Sequence, residues 1–414
     1  MIKRFIIIVA ILSTVLAAAQ EGTSSPYSFY GIGLTKFKGT VENQSMGGLR
    51  LFSDSIHLNL RNPAGYGRLK LTTYTVGGSY QDTQLKNDQA TENSNITSLD
   101  YLAIGIPTGK LNFGFGLIPY TSVGYRILNV NEETASRFTG RGGMNKVFLT
   151  TGYAVTNNLS LGVDINYNFG NIQNNFTAFQ NDIQFGTRQI DRTDLSGFNL
   201  NFGLDYQRTI SNKLIVYTAA TYSPKMDITA RNIRNVAAIT FAANGSEVVT
   251  SDNDITFPDS DLSLPAQLTL GAGLGSLNKW FLGAEYSNIQ AEDFNFNSAA
   301  SRQDVSYQNA SQFRLGGFYI PQYNSLTGYL NRIVYRAGIR LEESGLHINN
   351  EAINEFGISF GVGLPAGVNF SNANLGIEYG QRGTTNSGLI KENFFKLSVS
   401  LSLNDKWFQQ RKFD

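Results

Sequence analysis

Residues 159–169 read LSLGVDINYNF. Leu159, Leu161, Val163, Ile165, Tyr167 and Phe169 share one parity, and Ser160, Gly162, Asp164, Asn166 and Asn168 share the other. Successive side chains of a strand point to opposite faces, so this stretch as a strand has one apolar and one polar side. The pattern returns at 198–206 (FNLNFGLDY), 356–364 (FGISFGVGL) and 395–403 (FKLSVSLSL). About fourteen such segments can be traced between residues 67 and 405. Most run past ten residues, longer than the ~5–6 usual in globular sheets and suited to a tilted membrane strand.

The connections separate a membrane barrel from a soluble sandwich, which also alternates. Tight turns are expected at 107–110, 156–158, 210–213 and 276–279, and long polar loops at 82–95, 126–144, 170–192, 231–261 and 292–305. Short turns at one end and long loops at the other mark an outer-membrane barrel of a Gram-negative bacterium, and an even strand count leaves both termini periplasmic. The expected fold is therefore all-β, a transmembrane antiparallel barrel. Tyr66, Tyr153, Trp280 and Trp407 are candidates for its interfacial girdle.

Composition agrees. The 414 residues carry a net charge of +1, only 16% are charged, and there are 42 Gly, 28 Phe and 20 Tyr. So weak a field gives no reason to expect a nucleic-acid partner. Cysteine is absent, which excludes disulfides, thiol chemistry and Cys-ligated metals. Residues 1–19 have the form of a signal peptide: Lys3 and Arg4, an apolar core over 5–16, then three alanines at 17–19. That core is shorter than the ~20 residues a membrane helix needs.

Ahead of the first strand lies ENQSMGGLRLFSDSIHLNLRNPAGYG, residues 42–67. Asn62-Pro63-Ala64-Gly65 is a turn signal, since Pro fixes φ and Asn and Gly tolerate turn geometry. An exposed arm is one reading of this region. The other is a plug, because fourteen strands enclose a lumen that wall side chains alone cannot fill. The expected division is a signal peptide (1–19), a plug or hatch (20–66), the barrel (67–405) and a periplasmic tail (406–414).

Neither His57 nor His347 has the spacing of a catalytic pair, so no enzyme, cofactor or metal site is expected. The notable charges are arginines. Arg332, Arg336 and Arg340 recur every fourth residue, and Arg314 lies on the neighbouring strand. In the opposite register they would face lipid, at ~2–4 kcal/mol each near the midplane. Folding their strand onto the next about 344–349 puts residue 338 opposite 355, so Glu355 should fall between Arg336 and Arg340. Such a cluster could pin a plug to the wall or receive a ligand's carboxylate.

At this point the chain resembles the FadL-type outer-membrane transporters of long-chain fatty acids and other hydrophobic compounds. The resemblance rests on the strand count and on Asn62-Pro63-Ala64, which Met46-Gly47-Gly48 precedes. It implies a hydrophobic landing site on two outer loops, here 170–192 with Phe176, Phe179 and Phe185, and 231–261 with Phe241. It also implies a side opening at a kink in strand three, where Pro119 stands. The implied function is passive uptake of hydrophobic compounds, fatty acids first, with outer-membrane lipid and a hydrophobic ligand or detergent as partners. The loops do not obviously encode the helices that family carries there. The second expectation is a non-transporting barrel, a subunit or plug of an outer-membrane secretion or assembly complex, with other outer-membrane proteins as partners. A continuous apolar lining would favour transport, and a closed, charge-filled lumen would favour the subunit.

Overall fold

A computed structural model describes residues 22–211, 213–242, 244, 246–292, 305–366 and 371–407. The expected signal peptide and most of the expected tail lie outside the described residues. Fourteen strands form one closed antiparallel barrel. They are β1 (Thr72–Lys86), β2 (Thr91–Pro107), β3 (Leu111–Val130), β4 (Thr134–Ala154), β5 (Leu159–Gln180) and β6 (Gly186–Ser211). Next come β7 in two segments (Leu214–Ser223 and Met226–Phe241) and β8 in three (Glu247–Thr256, Ser260–Leu264 and Gln267–Ser276). The rest are β9 (Trp280–Ile289), β10 (Val305–Tyr307 and Ala310–Tyr319), β11 (Val334–Ile348), β12 (Glu351–Ala366), β13 (Ser371–Arg382) and β14 (Lys391–Asp405). The ring closes where β14 pairs with β1, from Lys391 opposite Lys86 to Asp405 opposite Thr72.

Prolines explain the interruptions of β7 and β8. Pro224 divides β7, and Pro258 and Pro265 divide β8, because proline has no N–H to give to a ladder. The strands are also longer than the alternation marks. β4, β5 and β6 run for 21, 22 and 26 residues, against the ~9–11 that cross a bilayer. The long loops expected at 126–144, 170–192 and 231–261 are therefore mostly paired strand. Beyond the lipid both faces of a strand can be polar, so the apolar parity disappears while the ladder continues.

On the outer parity, Leu102, Phe115, Leu149, Ile165, Phe202, Leu282 and Phe360 are exposed despite being apolar, which is the arrangement of a lipid-facing band. The inner parity is polar and buried, with Thr75, Thr150, Asn166, Ser287 and Ser400 among its members.

What buries it is the chain ahead of β1. The barrel starts at Thr72 rather than 67, because the Asn-Pro-Ala turn continues as a 3-10 helix, Pro63–Arg68. Asn62 caps that helix, its Oδ1 accepting from the Ala64 N–H at 3.1 Å while its Nδ2 donates to the Leu204 carbonyl of β6 at 3.1 Å. Glycines on the inner parity let the wall approach plug main chain. A Cβ on Gly162 would lie 2.3 Å from the Pro63 carbonyl carbon, and one on Gly152 would lie 2.4 Å from the Gly67 nitrogen. Across the barrel, a Cβ on Gly338 would lie 2.1 Å from the Gly47 nitrogen, and one on Gly361 2.2 Å from Ser45 Oγ. Tyr66 is inside as well, 1% exposed and packed on Gly114, so it is not part of the interfacial girdle. A short helix α1 (Val41–Gln44), capped by Thr40, lies between these contacts.

Within the plug, His57 Nδ1 and Asp54 Oδ2 are 2.7 Å apart. Burial disfavours the imidazolium, but the Asp54 carboxylate outweighs it and holds His57 above its ordinary value. Burial likewise opposes ionisation of Asp54, yet His57 and the Ile56 N–H hold it below the usual carboxylate range.

Two outcomes follow. Gly162→Val and Gly338→Val should each cost about 1–3 kcal/mol through overpacking, seen as a lower unfolding midpoint in heat-dependent gel mobility. Leu161→Val, on the lipid side, should change it little. The Asp54–His57 pair is complete between about pH 4 and 6.5, is lost above that as His57 deprotonates through its raised value, and is lost below as Asp54 protonates. Wild-type stability should therefore fall as the pH rises above about 6.5, and His57→Gln should remove that part of the fall.

Candidate functional site

The space between plug and wall is lined by ion pairs among the wall strands. On β10 and β11, Arg314 Nη2 donates to Glu342 at 2.6 Å. Arg340 reaches Glu378 on β13 at 2.7 Å, Glu355 on β12 and, at 3.4 Å, Glu342. Arg382 continues the chain to Glu355 at 2.6 Å and to Glu392 on β14 at 2.9 Å. The plug joins at several points. Gln44 donates to Glu378 at 2.7 Å, Ser25 to Glu392, and the Arg50 guanidinium lies 3.6 Å from Glu285 on β9. Arg336 donates to Asn374 Oδ1 at 3.1 Å, and Asn374 donates in turn to Glu42 of α1 at 2.8 Å.

Two expectations about the arginines are corrected. Residue 355 stands opposite Glu342, not 338, because the β11–β12 hairpin turns at Asn349 and Asn350, both at positive φ, and carries a bulge between Glu343 and His347. Arg336 is thereby moved opposite Gly361, so Glu355 bonds Arg340 and Arg382 instead. Arg332 precedes the strand altogether. It ends the 3-10 helix Tyr329–Arg332 in a long connection, with its guanidinium 5.5 Å from the Tyr329 ring centre.

The phenylalanines do not make one surface. Phe176 stands opposite Phe138 with ring centres 4.7 Å apart, and Phe29 of the plug is 6.3 Å from Phe138. Phe179, on the other face of the sheet, stacks on Phe241 at 5.1 Å, and Phe185 is exposed in the connection after β5. Regions 170–192 and 231–261 do meet, as a ladder from Gly186 opposite Ile239 to Ser196 opposite Thr229, and Arg234 bonds Asp191 at 2.6 Å.

Pro119 sits at a discontinuity in the wall. The β3–β4 register shifts between Pro119 and Thr121, inserting Tyr120. The β2–β3 ladder stops at Leu102 opposite Leu117, although β2 runs on beside β1 as far as Thr91. Plug backbone takes the vacated edge of β3: Leu34 pairs with Ser122 and Thr35 with Thr121. The Lys36 N–H donates to the Tyr120 carbonyl at 3.0 Å, and the Gly124 N–H donates to Ser28 Oγ at 3.1 Å. Burial, helped by Lys396, pushes the Lys36 ammonium down to about 8.

The crevice between Arg50 and Glu285, walled by Ala219, Thr221, Thr269 and Gly271, is too narrow for a water molecule. Among the described residues no group of acids and histidines suits a metal ion.

Sequence reasoning missed Lys38, Arg50, Arg61, Lys146, Glu342 and Arg382. Lys146 was detectable, since it shares the inner parity with Phe148 and Thr150. The plug cations stand in aperiodic sequence that carries no such signal.

Comparisons with known proteins agree with this geometry. The P. putida toluene transporter TodX superposes with a TM-score of 0.60 at 15% identity, over 91% of this chain and 100% of that one. The monoaromatic hydrocarbon channel CymD gives 0.58 at 14% identity over 91% and 100%. A Pseudomonas aeruginosa FadL homologue gives 0.55 at 11% identity over 91% and 99%. At such identities these likenesses show the fold, that of the FadL-like outer-membrane channels. No curated protein matches the sequence. One family model, described as BamG, matches residues 1–414 from end to end. The chain belongs to the BamG family.

Proposed function

We propose that this protein is a sealed outer-membrane barrel that acts as a non-transporting subunit of an outer-membrane assembly complex. The observation that carries the reading is the main-chain contact between plug and wall. Glycines on both sides of the barrel receive the plug backbone, and the plug strand caps the one stretch where β3 loses β2. An uptake channel needs a continuous apolar lining. Here the wall–plug boundary is instead filled with bonded carboxylates and guanidinium groups. The family's name, BamG, hints at the same role in assembly. Both termini lie on the periplasmic side in this reading, with other outer-membrane proteins as partners and no catalytic role.

A specific observation favours a second reading, passive uptake of hydrophobic compounds. The discontinuity at Pro119 leaves β2 and β3 unpaired toward one end of the barrel, and structures of similar fold are named as a toluene transporter and a monoaromatic hydrocarbon channel. Fatty acids remain the first candidate substrate under that reading.

Extraction from native membranes in mild detergent, paired with reconstitution of the purified chain into liposomes, separates the two. The subunit reading expects recovery with other outer-membrane proteins in fixed proportion, and entry of toluene or oleate no faster than into protein-free liposomes. Saturable, protein-dependent entry by a chain isolated alone would overturn it.

A further inference from the structure

Many cations of the interior are paired with carboxylates, but some among the described residues are not, and three of these form one group. Lys38 and Arg61 of the plug and Lys146 of β4 have no carboxylate within ion-pair distance among the described residues. Lys146 is 8% exposed and stands opposite Ile118, beside the bulge at Pro119. At that bulge Lys38 Nζ lies 3.5 Å from the centre of the Tyr120 ring. Asp164 attracts Lys146 from a distance, but its hydrogen bonds go to Thr150 and, at 2.8 Å, to Asn201. Arg61 donates to the Gly48 carbonyl and lies 5.1 Å from the Phe37 ring centre.

A fourth cation, on β10, meets Arg61 from the opposite wall. Arg314 is 3% exposed, and although Nη2 bonds Glu342 and Gln312, its Nε and Nη1 are buried without partners. Arg314 Nε and Arg61 Nη1 each lie 3.2 Å from the point that a Cβ on Gly48 would occupy. Burial, with Lys146 and Arg61 next, pushes the Lys38 ammonium well below its ordinary value. Aromatic faces replace only part of the hydration such groups lose, and a buried charge without an anion is costly.

We propose that the interior holds a phosphate-class oxyanion, gripped by Lys38 and Arg61 from the plug and by Lys146 and Arg314 from the wall. A tetrahedral dianion suits this set better than a single carboxylate. It offsets two charges and offers several oxygens at once to ammonium and planar guanidinium donors. Bound there, the anion ties the plug to β4, beside the stretch where β3 has lost its neighbour, and to β10 across the barrel. The proposal holds whether the barrel is a subunit or a channel.

Two measurements on the full chain in detergent test it. Phosphorus-31 spectra of protein washed while folded and denatured only afterwards should show about one phosphate per chain, or the protein should take one up when phosphate is added. A monoester resonance would identify a lipid-borne phosphate, and an orthophosphate resonance the free ion; a diester resonance alone, from a monoanion, would count against the proposal. Adding inorganic phosphate to anion-free protein should raise the unfolding temperature saturably against chloride at equal ionic strength. Lys38→Gln and Lys146→Gln should cut that rise at least about threefold. The same rise in both variants would place the anion elsewhere and overturn the proposal. So would wild-type protein that neither carries phosphorus nor responds to phosphate.

Discussion

A fourteen-strand barrel is wider than its own side chains can fill, and the rest of this structure follows from that. The interior must be water or a second piece of chain. This chain supplies the second piece, and the wall is cut to receive backbone. At Gly152 and Gly162 on one side, and Gly338 and Gly361 on the other, even a methyl group would collide with plug atoms. Packing at main-chain distance brings plug N–H and C=O groups against the wall, so partners such as Ser359 for the Gly47 N–H and Asn112 for the Tyr66 carbonyl become necessary, because a buried unpaired peptide group is costly.

Charge settles how the plug is held. Arg340 touches three carboxylates from three strands, and the row continues through Glu355 and Arg382 to Glu392 and Ser25. Buried pairs contribute little net stability over apolar packing, but removing one partner is expensive, commonly about 3–5 kcal/mol. Such a network is better suited to fixing one position of the plug than to strengthening the barrel. The cap on β3 adds main-chain bonds where the wall is weakest. Together they argue for an interior that stays closed.

Parity made the barrel legible. The segments at 159–169, 198–206, 356–364 and 395–403 all lie in the strands their alternation marks, and Asn62-Pro63-Ala64 is a capped turn inside the ring. The extent of β4 to β8 was hidden, because a strand above the lipid no longer alternates and prolines cut β7 and β8 into pieces. The β11–β12 register was misread for a related reason. A two-residue turn with a bulge below it cannot be told from a longer loop by hydrophobicity, and a register error relocates every cross-strand pair. Arg332 was drawn onto β11 by spacing alone, and the plug's cations have no period to reveal them.

The central claim is that the plug lies locked within the barrel, against the wall. Because the chain has no cysteine, a disulfide placed between the two bodies reports without background. Ser45 Oγ lies 2.7 Å from the point that a Cβ on Gly376 would occupy. The double variant Ser45→Cys/Gly376→Cys, oxidised in intact outer membranes, should form the bond in nearly every folded molecule. Two free thiols in folded barrels would contradict the account.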